Sequence, residues 1–248
     1  MIVNIHENLT LNEFNDLCIK KSNNINAYKE IYQLYKPTNN FPNFRDYRTG
    51  PYVFDKIKLD WIMLIDEGNN LMSHGILCKI FWDGDTKNLP NDGWTGSTIT
   101  AYKNNLEKIE TNTMVGLFAH VSKKFRNQKL SGSLVDNMKK IAKKNKFKLI
   151  IPLRPPSRYE KEYCNMEFEK FCNLKTEEGM PKDPWFRLHK KLNAKFLKIS
   201  KTSHQRAMSL STFNNLFGKK NITKTGYYDF EIFGNWHNIY IDLILNIA

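Results

Sequence analysis

The residues best suited to chemistry gather around one turn, Arg126-Asn127-Gln128-Lys129-Leu130-Ser131-Gly132-Ser133. It stands between a strand-like apolar run, Met114 to Val121, and a stretch that places Leu130, Leu134, Val135, Met138, Ile141 and Ala142 on one helical face. A helix starting there offers unpaired backbone N–H groups and the positive end of its dipole, which suits a phosphate. Ser131, Gly132 and Ser133 are small enough for close backbone approach, and Lys123, Lys124, Arg126 and Lys129 add positive charge. The same composition also describes a solvated helix cap, so the turn alone does not name a ligand.

Two histidines titrate in the right range for proton transfer, with an unperturbed pKa of about 6.5. His120 is the only titratable group on the Met114–Val121 run, which holds no carboxylate; Glu107 and Glu110 precede it in an expected loop. His189 closes the run Asp183-Pro184-Trp185-Phe186-Arg187-Leu188-His189. Each has a structural alternative: a half-exposed strand residue for His120, and for His189 a helix C-terminal residue favoured by the dipole. Arg154, just before Pro155-Pro156, can hold an anionic oxygen or pair with Asp183. Tyr159 and Tyr163 can donate a proton or pack in a core. Trp82, Asp83, Trp94 and Trp185 can wall a pocket for a small or extended molecule, or serve as packing.

The elements that must position these groups follow from pattern and punctuation. Thr10 with Glu13 forms a capping-box start to one helix, and a second runs from Asn26 to Tyr35, before Pro37. The stretch from Pro37 to Pro51 reads as a loop. Strands at Trp61–Ile65 and Ser73–Trp82 flank a turn at Asp66–Asn70, and turn chemistry fills the stretch from Trp82 to Trp94. The central run, the basic turn, the amphipathic helix and a short strand at Phe147–Ile151 make a βαβ unit. Beyond it, Tyr159–Cys172 reads as a helix, and Asp183-Pro184 as the cap and first residue of another that ends near Leu192-Asn193. Ala194–Ser200, the region around Phe230–Phe233 and Ile239–Leu245 read as strands. The class is α+β with a mixed sheet, in one domain over 1–248. Its core lies at about 59–200, a helical part at 9–36 and C-terminal strands at 225–246.

Composition sets the boundaries. In 248 residues, 41% hydrophobic and 13% aromatic content supports a sizeable core and argues against disorder. No run of about 18 apolar residues is present, and the N-terminus lacks the features of a secretory signal, so neither a membrane span nor export is expected. Lys and Arg number 38 against 25 Asp and Glu, a formal +13, which implies an anionic partner unless compositional bias toward Lys accounts for it. Cys18, Cys78, Cys164 and Cys172 form no zinc-ligand or C-x-x-C spacing and read as reduced thiols of a cytoplasmic protein without a metal.

With these residues in place, the chain resembles the GNAT acyltransferase superfamily. Its acyl-coenzyme A loop carries Arg or Gln, two residues, Gly, one residue, then Gly or Ala. Arg126 fits the first position, Lys129 stands where the first Gly is usual, and Ser131 occupies the last. The turns Trp82-Asp83-Gly84, Leu89-Pro90 and Gly93-Trp94 resemble a GNAT-like subgroup found alone or beside adenylation and polyketide-assembly modules. So do Leu130-Ser131-Gly132, Leu153-Arg154-Pro155, Glu178-Gly179-Met180-Pro181 and the Asp183–His189 run, over about Trp61 to Ser200.

The resemblance implies a strand that splays from its neighbour to admit the pantetheine arm of acetyl-CoA or another acyl-CoA. Phe118, Ala119, His120 and Val121 would line the arm, with Pro152 to Arg154 across the gap and the pyrophosphate at Arg126 to Ser133. It implies direct attack on the thioester by a small-molecule amine or, alternatively, by the thiol of an acidic carrier protein, where some relatives also decarboxylate. His189, or else His120, would serve as base, Arg154 would polarise the thioester, and Tyr163 or Tyr159 would protonate the leaving thiolate. Trp82, Asp83, Trp94 and Trp185 would line the acceptor pocket. A nucleic-acid-binding module is a distant third reading, since no recognisable motif supports it.

Overall fold

The computed structural model describes residues 1–35, 56–160, 162–163 and 166–200, and further on 207–209, 214, 223, 226–232 and 235–242. The expected loop at 37–51 and Cys164 lie outside the described residues. A five-stranded sheet runs in the order β1 (Ile2–Leu9), β2 (Leu59–Ile65), β3 (Leu71–Ile80), β4 (Thr113–Val121) and β5 (Lys148–Ile150). The first four strands are antiparallel to their neighbours, and β5 is parallel to β4, as the βαβ reading requires.

One face carries helices α1 (Leu11–Lys21), α2 (Asn26–Tyr35) and α3 (Gly93–Leu106). The capping box that starts α1 is formed, with the Thr10 N–H donating to Glu13 Oε2 at 2.7 Å and the Glu13 N–H to Thr10 Oγ1 at 3.3 Å. Phe14 from α1 stacks on Trp61 of β2 at 3.9 Å between ring centroids, in a core shared with Tyr28, Ile31, Ile76, Trp94 and Leu117. The other face carries α4 (Leu130–Lys144), whose Leu130, Leu134, Met138, Ile141 and Ala142 pack on Ile62, Leu64, Leu77 and Met114. Contact there is close: a Cβ at Gly75 of β3 would lie 2.5 Å from Met138 Cε.

Several expectations change. β1 was not expected, because Ile2, Val3 and Ile5 are exposed and show no inward alternation; as an edge strand it rests on its register with β2. Helix α3 replaces the end of the Trp82–Trp94 turn and continues to Leu106. Its two glycines and three threonines are poor helix formers, yet burial of Trp94, Thr95, Thr98 and Ala101 overrides propensity. The helix expected at Tyr159–Cys172 is a 3₁₀ turn, Pro156–Tyr159, and a short helix α5, Phe168–Cys172. Between them Arg158 donates to the carbonyls of Tyr163 and Met166, taking the place of helical N–H groups. Ala194–Ser200 is not a strand; Lys198 Nζ donates to the Leu89 carbonyl at 2.7 Å and Ser200 Oγ to that of Asn91 at 2.6 Å, so it lies along the approach to α3. Helix α6 (Pro184–Lys191) begins on the expected Asp183 cap. The C-terminal strands β6 (Ala207–Ser209), β7 (Gly226–Ile232) and β8 (Asn235–Asp242) form a second sheet in the order β6-β8-β7.

Candidate functional site

The sheet opens on one strand. Pairing between β4 and β5 covers only Thr113 to Val115, opposite Lys148 to Ile150, so among the described residues no strand pairs with Gly116 to Val121 on that side. On the opposite side the β3 register slips at the same place: Leu77 faces Gly116 while Ile76 faces Phe118, which leaves Leu117 as an extra residue. That is a β-bulge, a device that re-aims the residues after it. The Leu117 carbonyl accepts the indole N–H of Trp94 at 3.0 Å, and Trp94 meets Phe118 edge-on at 5.6 Å.

The bulge also sets which side chains meet. Continued without it, the Leu77–Gly116 register would place His74 opposite Ala119; with it, His74 faces His120. The two imidazole centroids are 5.1 Å apart. His74 is 2% exposed, and its Nε2 is 2.8 Å from the Tyr35 hydroxyl at the end of α2. Burial, with the neighbouring His120, pulls its pKa down to about 3. His120 is exposed, and partial desolvation together with Arg126 lowers its pKa. Both rings are therefore neutral near pH 7. Neither His74 nor Tyr35 was singled out from the sequence.

Beyond Val121 the chain makes a 3₁₀ turn, Lys123–Phe125, and then the basic turn. Asn127 (φ 66°) and Lys129 (φ 57°) are both left-handed. Lys129 thus adopts, at the position where the superfamily pattern has Gly, the backbone conformation that glycine enters freely. The N–H groups of Gly132 and Ser133 both donate to the Lys129 carbonyl, while those of Leu130 and Ser131 have no acceptor among the described residues. Arg126, Asn127, Gln128 and Lys129 are exposed and Leu130 is buried.

Helix α6 lies against this turn: a Cβ at Gly132 would sit 3.7 Å from Leu188 Cδ1, and Lys139 Nζ donates to the Leu192 carbonyl at 3.2 Å. Asp183 Oδ1 caps the helix on the N–H groups of Trp185 and Phe186, and its Oδ2 accepts from the Ser157 N–H and hydroxyl. His189 is 5% exposed, with Nδ1 2.9 Å from the Trp185 carbonyl. Since a carbonyl only accepts, Nδ1 carries the proton and Nε2 a lone pair. That Nε2 is buried without a partner among the described residues, and desolvation lowers the pKa of the ring.

The remaining candidates divide. Arg154 is exposed, four residues beyond the end of β5. Tyr163 is 5% exposed and packs edge-on against Phe171 at 5.5 Å, as a core residue; the Tyr159 side chain lies outside the described residues. Trp82 and Asp83 are not brought to the site. The Ile80–Thr113 register puts them at the start of β4, about 25 Å along the strand from Val121 at ~3.3 Å per residue. There the Trp82 N–H donates to Asn112 Oδ1, Lys148 Nζ lies 4.8 Å from the Trp82 ring centroid, and Asp83 accepts from the Asp85 N–H and the Asn88 amide. Trp94 is at the site as the partner of the bulge, and Trp185 is half-buried on α6. Among the described residues no group of three or more His, Cys, Asp or Glu could hold a metal ion, and no helix is long and apolar enough to cross a membrane. Cys18, Cys78 and Cys172 are free thiols.

No protein-family model and no curated relative matches the chain. Solved structures do. The loading GNATL domain of CurA from Lyngbya majuscula aligns over 82% of this chain and 90% of its own, with a TM-score of 0.50 at 15% identity. A ribosomal-protein-alanine N-acetyltransferase from Brucella melitensis biovar Abortus 2308 covers 63% of this chain and 84% of its own, with a TM-score of 0.30 at 13% identity. A GNAT family acetyltransferase from Staphylococcus aureus covers 63% and 90%, with a TM-score of 0.31 at 12% identity. The mixed five-stranded sheet, open along the second half of β4 and flanked by helices on both faces, is the GNAT superfamily fold.

Proposed function

We propose that the protein transfers an acyl group from acyl-CoA to a nucleophilic acceptor by direct attack on the thioester. The observation that carries this reading is the open edge of β4 from Gly116 to Val121, which leads straight into a left-handed basic turn at the start of α4. The pantetheine arm would lie along Phe118 to Val121. The pyrophosphate would take the free N–H groups of Leu130 and Ser131, with Arg126 and Lys129 beside it. Backbone N–H groups near Phe118–His120 would receive the carbonyl oxygen as it becomes anionic, and Arg154 would approach it across the gap. A neutral imidazole would take the acceptor's proton, and two are at hand. His189 has its tautomer fixed by the Trp185 carbonyl, and His120 stands on the open strand itself. Holding donor and acceptor side by side would supply much of the rate.

For the acceptor, the first reading is an amine of a small molecule, with acetyl-CoA as donor. A specific observation favours a second, the thiol of an acidic carrier protein: the formal charge of +13 attracts acidic surfaces and repels protonated amines. The likeness to a loading domain over 82% of the chain points the same way.

A thermal-shift panel of acyl-CoAs tests the donor, because a ligand at 100 times its Kd adds about 2.7 kcal/mol of stability. Absence of a shift with every acyl-CoA overturns the reading. Mass spectrometry of an amine panel and of an acidic holo carrier protein, each incubated with the best donor, separates the two acceptors.

A further inference from the structure

Tyr35, His74 and His120 form a row of polar side chains across α2, β3 and β4, and the first two have no part in the acyl-transfer scheme. The Tyr35 hydroxyl lies 2.8 Å from His74 Nε2, and the Tyr35 ring meets the imidazole edge-on at 5.5 Å between centroids. Tyr35 is itself set edge-on to Trp61 at 5.3 Å and to Phe118 at 6.5 Å. In so apolar a setting a phenylalanine would serve packing better than His74, whose Nδ1 is buried with no partner among the described residues. His120 makes no side-chain hydrogen bond among the described residues. Its ring contact is with His74, across a register that only the bulge at Leu117 creates.

We propose that Tyr35 and His74 are positioning residues for His120: the hydroxyl fixes the His74 ring, and that ring fixes His120 as the group that takes the acceptor's proton. This rests on the acyl-transfer reading. The acceptor lone pair forms the bond to the thioester carbonyl carbon while the acceptor's proton passes to His120. The carbon–sulfur bond then breaks, the coenzyme A sulfur leaves with the electron pair, and the His120 proton returns to it, which restores the neutral ring. His74 does not compete for the proton, since burial keeps it neutral.

The test uses the full chain and four variants, with kcat, KM for acyl-CoA and Tm measured on each. Tyr35→Phe and His74→Phe should each lower kcat about 10- to 100-fold and leave KM for acyl-CoA within about twofold. His74→Phe should melt close to the wild type, because the gain from removing a buried imidazole with an unpaired nitrogen is offset by the Tyr35 hydroxyl left without its partner. His74→Gln, whose amide can again meet the Tyr35 hydroxyl but offers His120 no ring, should recover only part of the lost kcat, and His120→Gln should lose at least as much as His74→Phe. A loss of activity without a loss of stability is the signature that a packing role would not give. Full activity in Tyr35→Phe, a change of one atom, or in His120→Gln, overturns the proposal while acyl transfer stands. A wild-type protein that binds no acyl-CoA overturns the acyl-transfer reading, and this proposal with it.

Discussion

The indole N–H of Trp94 donates to the Leu117 carbonyl at 3.0 Å, at the single residue by which β4 exceeds its partner β3. Leu117 is irregular on the β3 side and lies two residues beyond the last pairing with β5 on the other, so the strand ladder does little to fix it. The indole supplies that restraint from α3. Trp94→Phe keeps the edge contact with Phe118 but strips the carbonyl of its donor. A destabilisation of about 1–3 kcal/mol is expected, with a fall in kcat larger than any rise in KM for acyl-CoA. Unchanged melting and turnover would mean that the bulge holds itself.

The turn before α4 is open to a test of its own. Lys129 at φ 57° is strained in a way glycine is not, so Lys129→Gly should keep or slightly raise stability, by up to about 1 kcal/mol. Acyl-CoA affinity should fall only modestly, as one exposed charge is removed. Ser131→Phe should raise the KM for acyl-CoA strongly, because a bulky ring blocks approach to the N–H groups of Leu130 and Ser131. Isothermal titration of both variants decides, and unchanged affinity in Ser131→Phe would move the phosphate site elsewhere.

With the proton assigned to His120, as proposed, His189→Ala should melt several degrees lower, through loss of its buried tie to the Trp185 carbonyl, and retain kcat within about threefold. A well-folded variant that loses 10²–10⁴ in kcat, about the full effect of a general base, would return that role to His189.

Stability should depend on pH through His74. Its folded pKa, about 3, lies below the unfolded value near 6.5, so the unfolded chain binds a proton that the folded one excludes. The contribution is whole above about pH 6.5 and is lost as pH falls toward 3, at up to ~1.4 kcal/mol per unit. Between pH 6.5 and 5 that amounts to about 2 kcal/mol. His189 and His6 shift in the same direction. Denaturant melts at pH 7.5 and 5.0 should show a steep loss in the wild type and a shallower one in His74→Phe. Equal losses in the two proteins would contradict the burial of His74.

What the sequence disclosed depended on whether local pattern and final burial agreed. Leu130, Leu134, Val135, Met138, Ile141 and Ala142 were legible as the inner face of α4 because a strong 3.6-residue period met a deep contact with β3. The Asp183-Pro184 start of α6 was legible because capping is local chemistry. Helix α3 was not, since Gly93, Thr95, Gly96 and Thr98 form a helix only under tertiary packing. The basic turn could be read down to its individual residues, whereas the partnership of His74 with His120 could not. A one-residue slip at Leu117 decides whether His74 meets a histidine or an alanine, and nothing in either strand's composition announces it. For the same reason Trp82 and Asp83 looked like site residues until the Ile80–Thr113 register placed them at the far end of β4.

Strand β1 constrains the order in which the molecule can assemble. Its first residues, Ile2 and Val3, pair with Ile65 and Leu64, about 60 positions later, whereas β2 and β3 are joined by the short turn at Asp66–Asn70. During synthesis β1 must therefore wait for β2 before it has an edge to lie on. Closing so long a loop is entropically slower than closing the β2–β3 hairpin. Strand β1 should be the last part of the main sheet to gain protection in pulsed hydrogen exchange, although it precedes the other strands in the chain.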